Sequence, residues 1–312
     1  MQQYKGKKVA ILGLSVEGLD SVRFFIEHGA HVVCCDRRTK EQLGTTYADL
    51  SGHNVALHLG DAYLSGLASF DLVVRTQGMA LWLPELVELR KTGKLTSNTR
   101  LFFSLCPAPI IGVTGTKGKG TTSTLIYEML KAKGKTVFLG GNVGTSLLSQ
   151  VQTIKPEDWV VLELSSFQLE DLDRSHQIAV VLRITQDHLA NYDPLATNYH
   201  PTRQDYVAAK KAIVRYQKVG DVAVFNADDL TSRSFAHDTP AKKYYFSRKG
   251  KHDAETWVEN KNVYVRWKQK IQRICSLAET VLRGEHNLEN IAAASIAAHI
   301  AGVDIVTIQH VA

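Results

Sequence analysis

Glycines, lysines and threonines alternate through one stretch of this chain, Gly112-Val113-Thr114-Gly115-Thr116-Lys117-Gly118-Lys119-Gly120-Thr121-Thr122. Gly115, Gly118 and Gly120 let a backbone bend tightly, so successive N–H groups around Thr116 and Lys117 can point at one anion. A helix starting there adds the positive end of its dipole. Lys119 supplies a mobile charge for outer phosphates, and Thr121 or Thr122 a hydroxyl for a magnesium ion. The spacing departs from the usual phosphate loop: counting back from Gly118-Lys119, the first-glycine position holds Val113.

Other residues could join that chemistry. Glu163 ends the apolar run 159–162, and an acid at the carboxyl end of a buried strand stands where an open α/β sheet builds its site. It reads as a magnesium ligand or as half of a surface ion pair. Asp187-His188 follows another apolar run, 178–184, and His188 is either a metal ligand or a structural loop histidine. In the helical stretch 203–217, Lys210 shares a face with Val207 and Val214, whereas Lys211 falls nearer Ala208 and Arg215. Lys210 therefore aims inward or snorkels out. Asn287 and Asn290 are three apart at the start of a helix. They suit the edge of a purine, and Asn287 suits a helix cap equally well.

These residues need a scaffold. Alternating strand and helix patterns predict a parallel sheet over the first hundred residues. Strands are expected at 9–12, 31–36, 55–59 and 71–74, and helices at 17–28 and 84–91. The first turn, Gly13-Leu14-Ser15-Val16-Glu17-Gly18, has two glycines and not a full dinucleotide fingerprint. Asp36 ends the second strand, where it could hold a ribose or a uracil edge, with Arg37 and Arg38 near phosphates. Cys106-Pro107-Ala108-Pro109 breaks both patterns and sets the expected boundary between domains 1–108 and 109–312. A second αβ series follows, with strands at 110–113, 137–139, 159–164, 178–185 and 222–226. Its helices are expected at 121–133, 203–217 and 288–301, with a β-hairpin around Asn260-Lys261-Asn262.

Composition narrows the class. The 312 residues allow about two domains, and 44% hydrophobic with 22% charged residues is ordinary for a soluble globular protein. The net charge of +6 suits anionic ligands. It is spread along the chain without a dense Lys/Arg block, so no nucleic-acid partner is expected. None of Cys34, Cys35, Cys106 and Cys275 forms a CxxC pair, and reduced thiols fit the cytoplasm. No signal peptide is visible, and no apolar run reaches the ~18 residues of a membrane span.

Taken in chain order, residues 112–122, Gly140-Gly141-Asn142-Val143-Gly144, 162–169, 184–189, 206–210 and 284–290 resemble the motifs of the Mur ligase superfamily. The Ser-Ser-Phe-Gln-Leu stretch at 165–169 is especially similar to its D-glutamate-adding branch. The resemblance covers nearly all of the chain. It implies an α/β protein: a Rossmann-like domain for a UDP-linked substrate, then a P-loop-type ATP-binding domain. The family's third, carboxyl-terminal domain is not expected within these residues, so the chain alone is expected to bind nucleotides and ligate little.

The implied reaction is ATP-dependent. The carboxylate of UDP-N-acetylmuramoyl-L-alanine is phosphorylated, and D-glutamate attacks the acyl phosphate. By the same resemblance Lys119 holds the β- and γ-phosphates, Thr121 and Glu163 a first Mg2+, and His188 and a carbamylated Lys210 a second. Asn142 and His188 meet the muramoyl substrate, Asn287 and Asn290 the adenosine, and Val16, Glu17, Asp36 and Arg37 the uridine diphosphate. A monomer is expected. The alternatives are another amide ligase of the superfamily, such as folylpolyglutamate synthase, or a nucleotide-binding module without turnover. The chain departs from the family at Gly120, Arg183, Ala190-Asn191 and Thr76-Gln77-Gly78.

Overall fold

The computed structural model describes residues 2–142, 145–187, 189, 198–251 and 253–312. The chain divides into two compact units. The first comprises residues 1–106 together with 146–153 and 193–200; the rest forms the second.

In the first unit the order is β1 (Lys8–Leu12), α1 (Val16–Glu27), β2 (His31–Asp36), α2 (Lys40–Leu43), α3 (Thr45–Ser51), β3 (Ala56–Leu59), β4 (Leu72–Arg75), α4 (Pro84–Lys91), β5 (Leu95–Ser97) and α5 (Asn98–Leu105). The strands form one parallel sheet ordered β3-β2-β1-β4-β5. Val9 to Leu12 are completely buried, as continuous apolar strands in a covered parallel sheet must be. Cys34 and Cys35 pack inside β2, where burial pushes both thiols up to about 12, so they stay protonated and inert.

The second unit runs β6 (Ile110–Thr114), α6 (Lys119–Ala132), β7 (Val137–Gly141), β8 (Trp159–Glu163), α7 (Ser166–Leu169), β9 (Ile178–Val181), α8 (Arg203–Arg215), β10 (Val222–Asn226), α9 (Leu230–Ser234), β11 (Lys242–Ser247), β12 (Thr256–Glu259), β13 (Asn262–Trp267), β14 (Lys270–Ser276), α10 (His286–Ile300) and α11 (Ile305–Val311). Its sheet is ordered β14-β13-β12-β11-β10-β9-β6-β8-β7. Pairing is parallel from β7 to β12 and antiparallel through β13 and β14. β12 and β13 make the hairpin expected from the sequence, with Asn260 and Lys261 both at positive φ. That is the mirror-image turn which matches strand twist.

The second core lies between the sheet, α6 and α10. Ile111, Val113, Ile126, Met129, Val161, Val180, Ile291 and Ile296 are fully buried there. So are Ala292, Ala293, Ala294, Ala297 and Ala298, whose small side chains let α10 lie close against its neighbours. No described helix is long and apolar enough to cross a membrane.

Sequence reasoning extends β9 to residue 185, four residues too far. Beyond Val181 the chain leaves the sheet but keeps bonding to the segment after β6: Leu182 N donates to Thr114 O at 2.8 Å and Thr116 N to Arg183 O at 2.8 Å. The apolar pattern persists because Leu182 and Ile184 are still buried.

Candidate functional site

β6 lies between β9 and β8, and the chain leaves it through α6 towards β7 and β8 on one side. The carboxyl end of such a strand is a topological switch point, where open α/β sheets bind ligands. The glycine loop starts there. A Cβ on Gly115 would stand 2.6 Å from Leu182 Cβ, and one on Gly118, whose φ is +85°, 2.4 Å from Asn290 Oδ1. Only glycine fits either place.

The loop is clamped from both sides. Thr116 Oγ1 lies 2.9 Å from Thr185 N, 3.2 Å from Thr185 O and 3.0 Å from the Tyr206 hydroxyl. Lys119 opens α6 and donates from Nζ to Thr116 O at 3.1 Å, so its charge folds back over the loop. Thr122 is buried and donates to Asn290 Oδ1 at 3.4 Å. Lys117 is exposed, and Gly120 and Thr121 are half-buried in the loop and first turn.

Glu163 ends β8 opposite Val113 and is 3% exposed. Its Oε1 accepts from Asn142 Nδ2 at 3.4 Å, and Asn142 N donates to Glu163 O at 2.8 Å. Among the described residues Glu163 Oε2 is buried without a hydrogen-bond partner. A buried carboxylate oxygen without a donor is costly, and it is the kind of hard oxygen that magnesium accepts.

Lys210 does aim inward. It is 2% exposed, and its Nζ donates to Gly115 O at 2.9 Å and Thr114 Oγ1 at 3.4 Å. Burial, followed by the charge of Lys119, pulls its ammonium down to about 7, against the opposing carboxylates of Asp187 and Glu163. Lys211 points elsewhere, to Asp238 at 3.1 Å. His188 lies outside the described residues. Among the described residues no group of three His, Cys, Asp or Glu side chains converges as a metal site.

On the other flank, Asn290 Nδ2 donates to Asn287 Oδ1 at 2.9 Å and Asn287 Nδ2 to Arg283 O at 2.7 Å. α10 begins at His286 with Glu285 as its N-cap, so Asn287 is inside the helix and does not cap it. Between the two asparagines, Glu289 accepts from Asn226 Nδ2. Burial raises the Glu289 carboxyl, opposed by the nearby Arg183 guanidinium.

In the first unit, a Cβ on Gly18 would stand 1.9 Å from Gly13 O, so α1 and the β1 turn touch backbone to backbone. Asp36 accepts from Leu14 N at 2.8 Å and from Arg38 N, Nε and Nη2 at 2.9, 2.9 and 2.8 Å. Its carboxylate thus shapes the turn, and Arg38 is bound to it. Arg37 and Val16 are exposed, and Glu17 is buried with Oε2 accepting from Gln77 N at 3.2 Å.

Sequence reasoning missed the clamp residues Thr114, Thr185 and Tyr206, and a buried aspartate, Asp20, on α1. Tyr206 had a signal, since it lies four residues before Lys210 on the same helical face.

The fold is that of a phosphate-loop α/β unit joined to a Rossmann-like parallel unit. Residues 113–298 match the family model described as Mur ligase middle domain, and residues 7–96 the one described as Mur ligase MurD-like, N-terminal domain. The chain belongs to the Mur ligase family.

A UDP-N-acetylmuramoylalanine–D-glutamate ligase of Symbiobacterium thermophilum is 40% identical over 309 residues, which is 98% of this chain and 66% of that protein. Its counterpart in Acetivibrio thermocellus is 38% identical over 95% of this chain and 62% of its own length. The chain therefore spans under two thirds of the length of these relatives. Among solved structures, a UDP-N-acetylmuramate:L-alanyl-gamma-D-glutamyl-meso-diaminopimelate ligase from Neisseria meningitides has the same fold, with TM-score 0.64 and 19% identity over 98% of this chain and 97% of that one. The UDP-N-acetylmuramate-alanine ligase of Thermotoga maritima has TM-score 0.57 and 18% identity over 98% of this chain and 67% of that one.

Proposed function

We propose that this chain binds ATP and UDP-N-acetylmuramoyl-L-alanine for an ATP-dependent ligation of D-glutamate in cytoplasmic peptidoglycan synthesis. The observation that carries this reading is the convergence of Lys119, Lys210 and the unpartnered Glu163 Oε2 on one glycine loop. The identity to the two D-glutamate ligases supports the choice of substrates.

In this reading the loop N–H groups and Lys119 hold the β- and γ-phosphates of ATP. Thr121 rather than Thr122 presents its hydroxyl to a cation, because Thr122 is buried against Asn290. Thr121 and Glu163 hold one Mg2+. His188, assigned by resemblance, and Lys210 as a carbamate hold a second. Bound magnesium would offset repulsion between the triphosphate and the substrate carboxylate and stabilise the transferring charge. Lys210 is suited to carbamylation because burial pulls its ammonium down to about 7, which favours the free amine. The amine nitrogen attacks CO2, an N–C bond forms as one C=O π bond opens onto oxygen, and the nitrogen's proton leaves to solvent, giving a carboxylate-like ligand. Asn142 orients the muramoyl group. Asn287 and Asn290 face the adenosine, and Val16, Glu17, Asp36 and Arg37 the uridine diphosphate.

The test is phosphate release by a full-length version carrying these residues, with ATP, magnesium and UDP-N-acetylmuramoyl-L-alanine across a panel of amino acids, alongside calorimetric binding of each nucleotide to residues 1–312. Stimulation by D-glutamate alone supports the reading. Stimulation by a different amino acid moves the chain to another ligase of the family. Nucleotide binding without any phosphate release points to a binding module. The carbamate has its own readout: 13C-bicarbonate should give a carbamate resonance in the wild type and none in Lys210→Arg.

A further inference from the structure

Asn226 is the last residue of β10 and has no exposed surface. A buried amide has to find partners for both its ends. The Asn226 backbone N donates to Ser232 Oγ at 3.1 Å, and Ser232 Oγ donates to Val181 O at 2.9 Å, at the end of β9. Its side-chain Oδ1 accepts from Asp228 N at 2.9 Å. A backbone N–H can only donate, so that bond fixes which way round the amide stands, oxygen to Asp228 and nitrogen towards α10. The nitrogen donates to Glu289 Oε1. The Asp228 carboxylate accepts in turn from Ser247 Oγ at 2.8 Å and Arg248 N at 2.7 Å, which holds the turn after β10 to the end of β11.

Glu289 stands between Asn287 and Asn290 in the first turn of α10. The two asparagine amides are chained from Arg283 O to each other, and Asn290 Oδ1 accepts from Thr122 beside Gly118. One turn further on, Thr256 Oγ1 donates to Ala292 O at 2.9 Å and ties the helix to β12. Two directional contacts, at Glu289 and at Ala292, thus define how α10 is rotated on the sheet.

We propose that Asn226 is a positioning residue for the purine of ATP: through Glu289 it sets the rotation of the first turn of α10, and with it the aim of the Asn287 and Asn290 amides at the base edge. The role rests on the functional reading above, which puts ATP on the glycine loop and its adenosine at these amides. Asn226 is wholly buried, so it acts on a nucleotide only through the residues it holds. An asparagine that merely knitted β10 to α10 would make the same bonds, so the test needs a readout that stability does not move.

Base selectivity is that readout. ATP and inosine triphosphate share the ribose and the triphosphate and differ at the base edge, where an oxo group replaces the amino group. Wild type, Asn226→Asp, Glu289→Ala and the double variant Asn226→Asp/Glu289→Gln are titrated calorimetrically with each nucleotide and magnesium, below their melting temperatures. Wild type should favour ATP. Asn226→Asp sets a carboxyl oxygen against Glu289 and should weaken ATP about tenfold, the scale of one hydrogen bond to a charged group, with inosine triphosphate changed by less than about threefold. The double variant reverses the bond, the Gln amide donating to the Asp carboxylate, and should return ATP to within about threefold of wild type. Glu289→Ala removes the acceptor at a half-buried helix position and should lower the selectivity in the same way. It supplies the measurement if Asn226→Asp does not fold.

Unaltered selectivity in Asn226→Asp, or in Glu289→Ala should Asn226→Asp not fold, would overturn the proposal and leave Asn226 a purely structural group. An equal loss of both nucleotides would overturn it as well, because it marks a general loosening of the second unit. So would a double variant as weak as Asn226→Asp. A wild type that binds both nucleotides equally sinks this role alone, and one that binds neither sinks the functional reading with it.

Discussion

At Gly118 two demands coincide: a left-handed φ of +85° and contact with Asn290. Gly118→Ala should fold but lose ATP affinity by about tenfold or more, since both backbone strain and the clash distort the loop. Calorimetric titration checks this, and an unchanged Kd would count against the loop as the phosphate site. Asp36 offers a test in pH. Burial would raise its carboxyl, but bonds from Arg38 and Leu14 prevail and hold it below its ordinary 3.8. A carboxylate that binds its proton more weakly when folded adds stability above about pH 4, and that stability is lost as pH falls through the folded value. Thermal unfolding of wild type should therefore worsen from pH 5 to pH 3 more than that of Asp36→Asn. Parallel pH dependences would refute the assignment. The face of Lys210 was legible from Val207 and Val214, but spacing left it aiming inward or snorkelling out, and the fold decides it by placing Nζ on Gly115 O. Asp20 was not legible, because a lone helix aspartate reads as solvated until the donors at 98 and 146–149 are brought to it by the fold.

The alanine-rich face of α10 sets the spacing of the second core. Ala294→Leu adds methylenes where Ala294 has no exposed surface. Such overpacking costs about 1–3 kcal/mol and should lower the melting temperature by a few degrees, to be read by calorimetry. No shift would mean that α10 packs more loosely than its burial indicates. Elements with strong local patterns were readable: β2, α4 and β10 fall where their apolar runs or their proline start place them. β11 and β14 were not. β11 opens with two exposed lysines, and most of β14 faces solvent at the sheet edge, so neither carries the continuous apolar run of a buried strand. Their pairing partners, not their composition, make them strands.

The two units are not two consecutive halves of the chain. Residues 146–153 fold with the first unit although they follow β7 of the second. A fragment of residues 1–106 would strip Asp20 of its donors at 146–149 and leave it Asn98, and should melt below the same unit in the whole chain. Amide exchange along α1 is the check, with equal protection in fragment and whole chain as the contrary result. The expected boundary near 108 followed from the Pro107-Pro109 break, and the split near residue 106 lies close to it. The return of 146–153 left no such mark, since a short polar-capped segment looks alike in either unit.

That return also imposes an order on synthesis. Residues 1–106 emerge from the ribosome well before the donors to Asp20 do, and at about 5–20 residues per second the wait from Cys106 to Ser149 lasts some seconds. During that interval the α1 carboxylate faces an unfinished pocket. The nascent first unit is then open to holdases and proteases until residues 146–149 have been made.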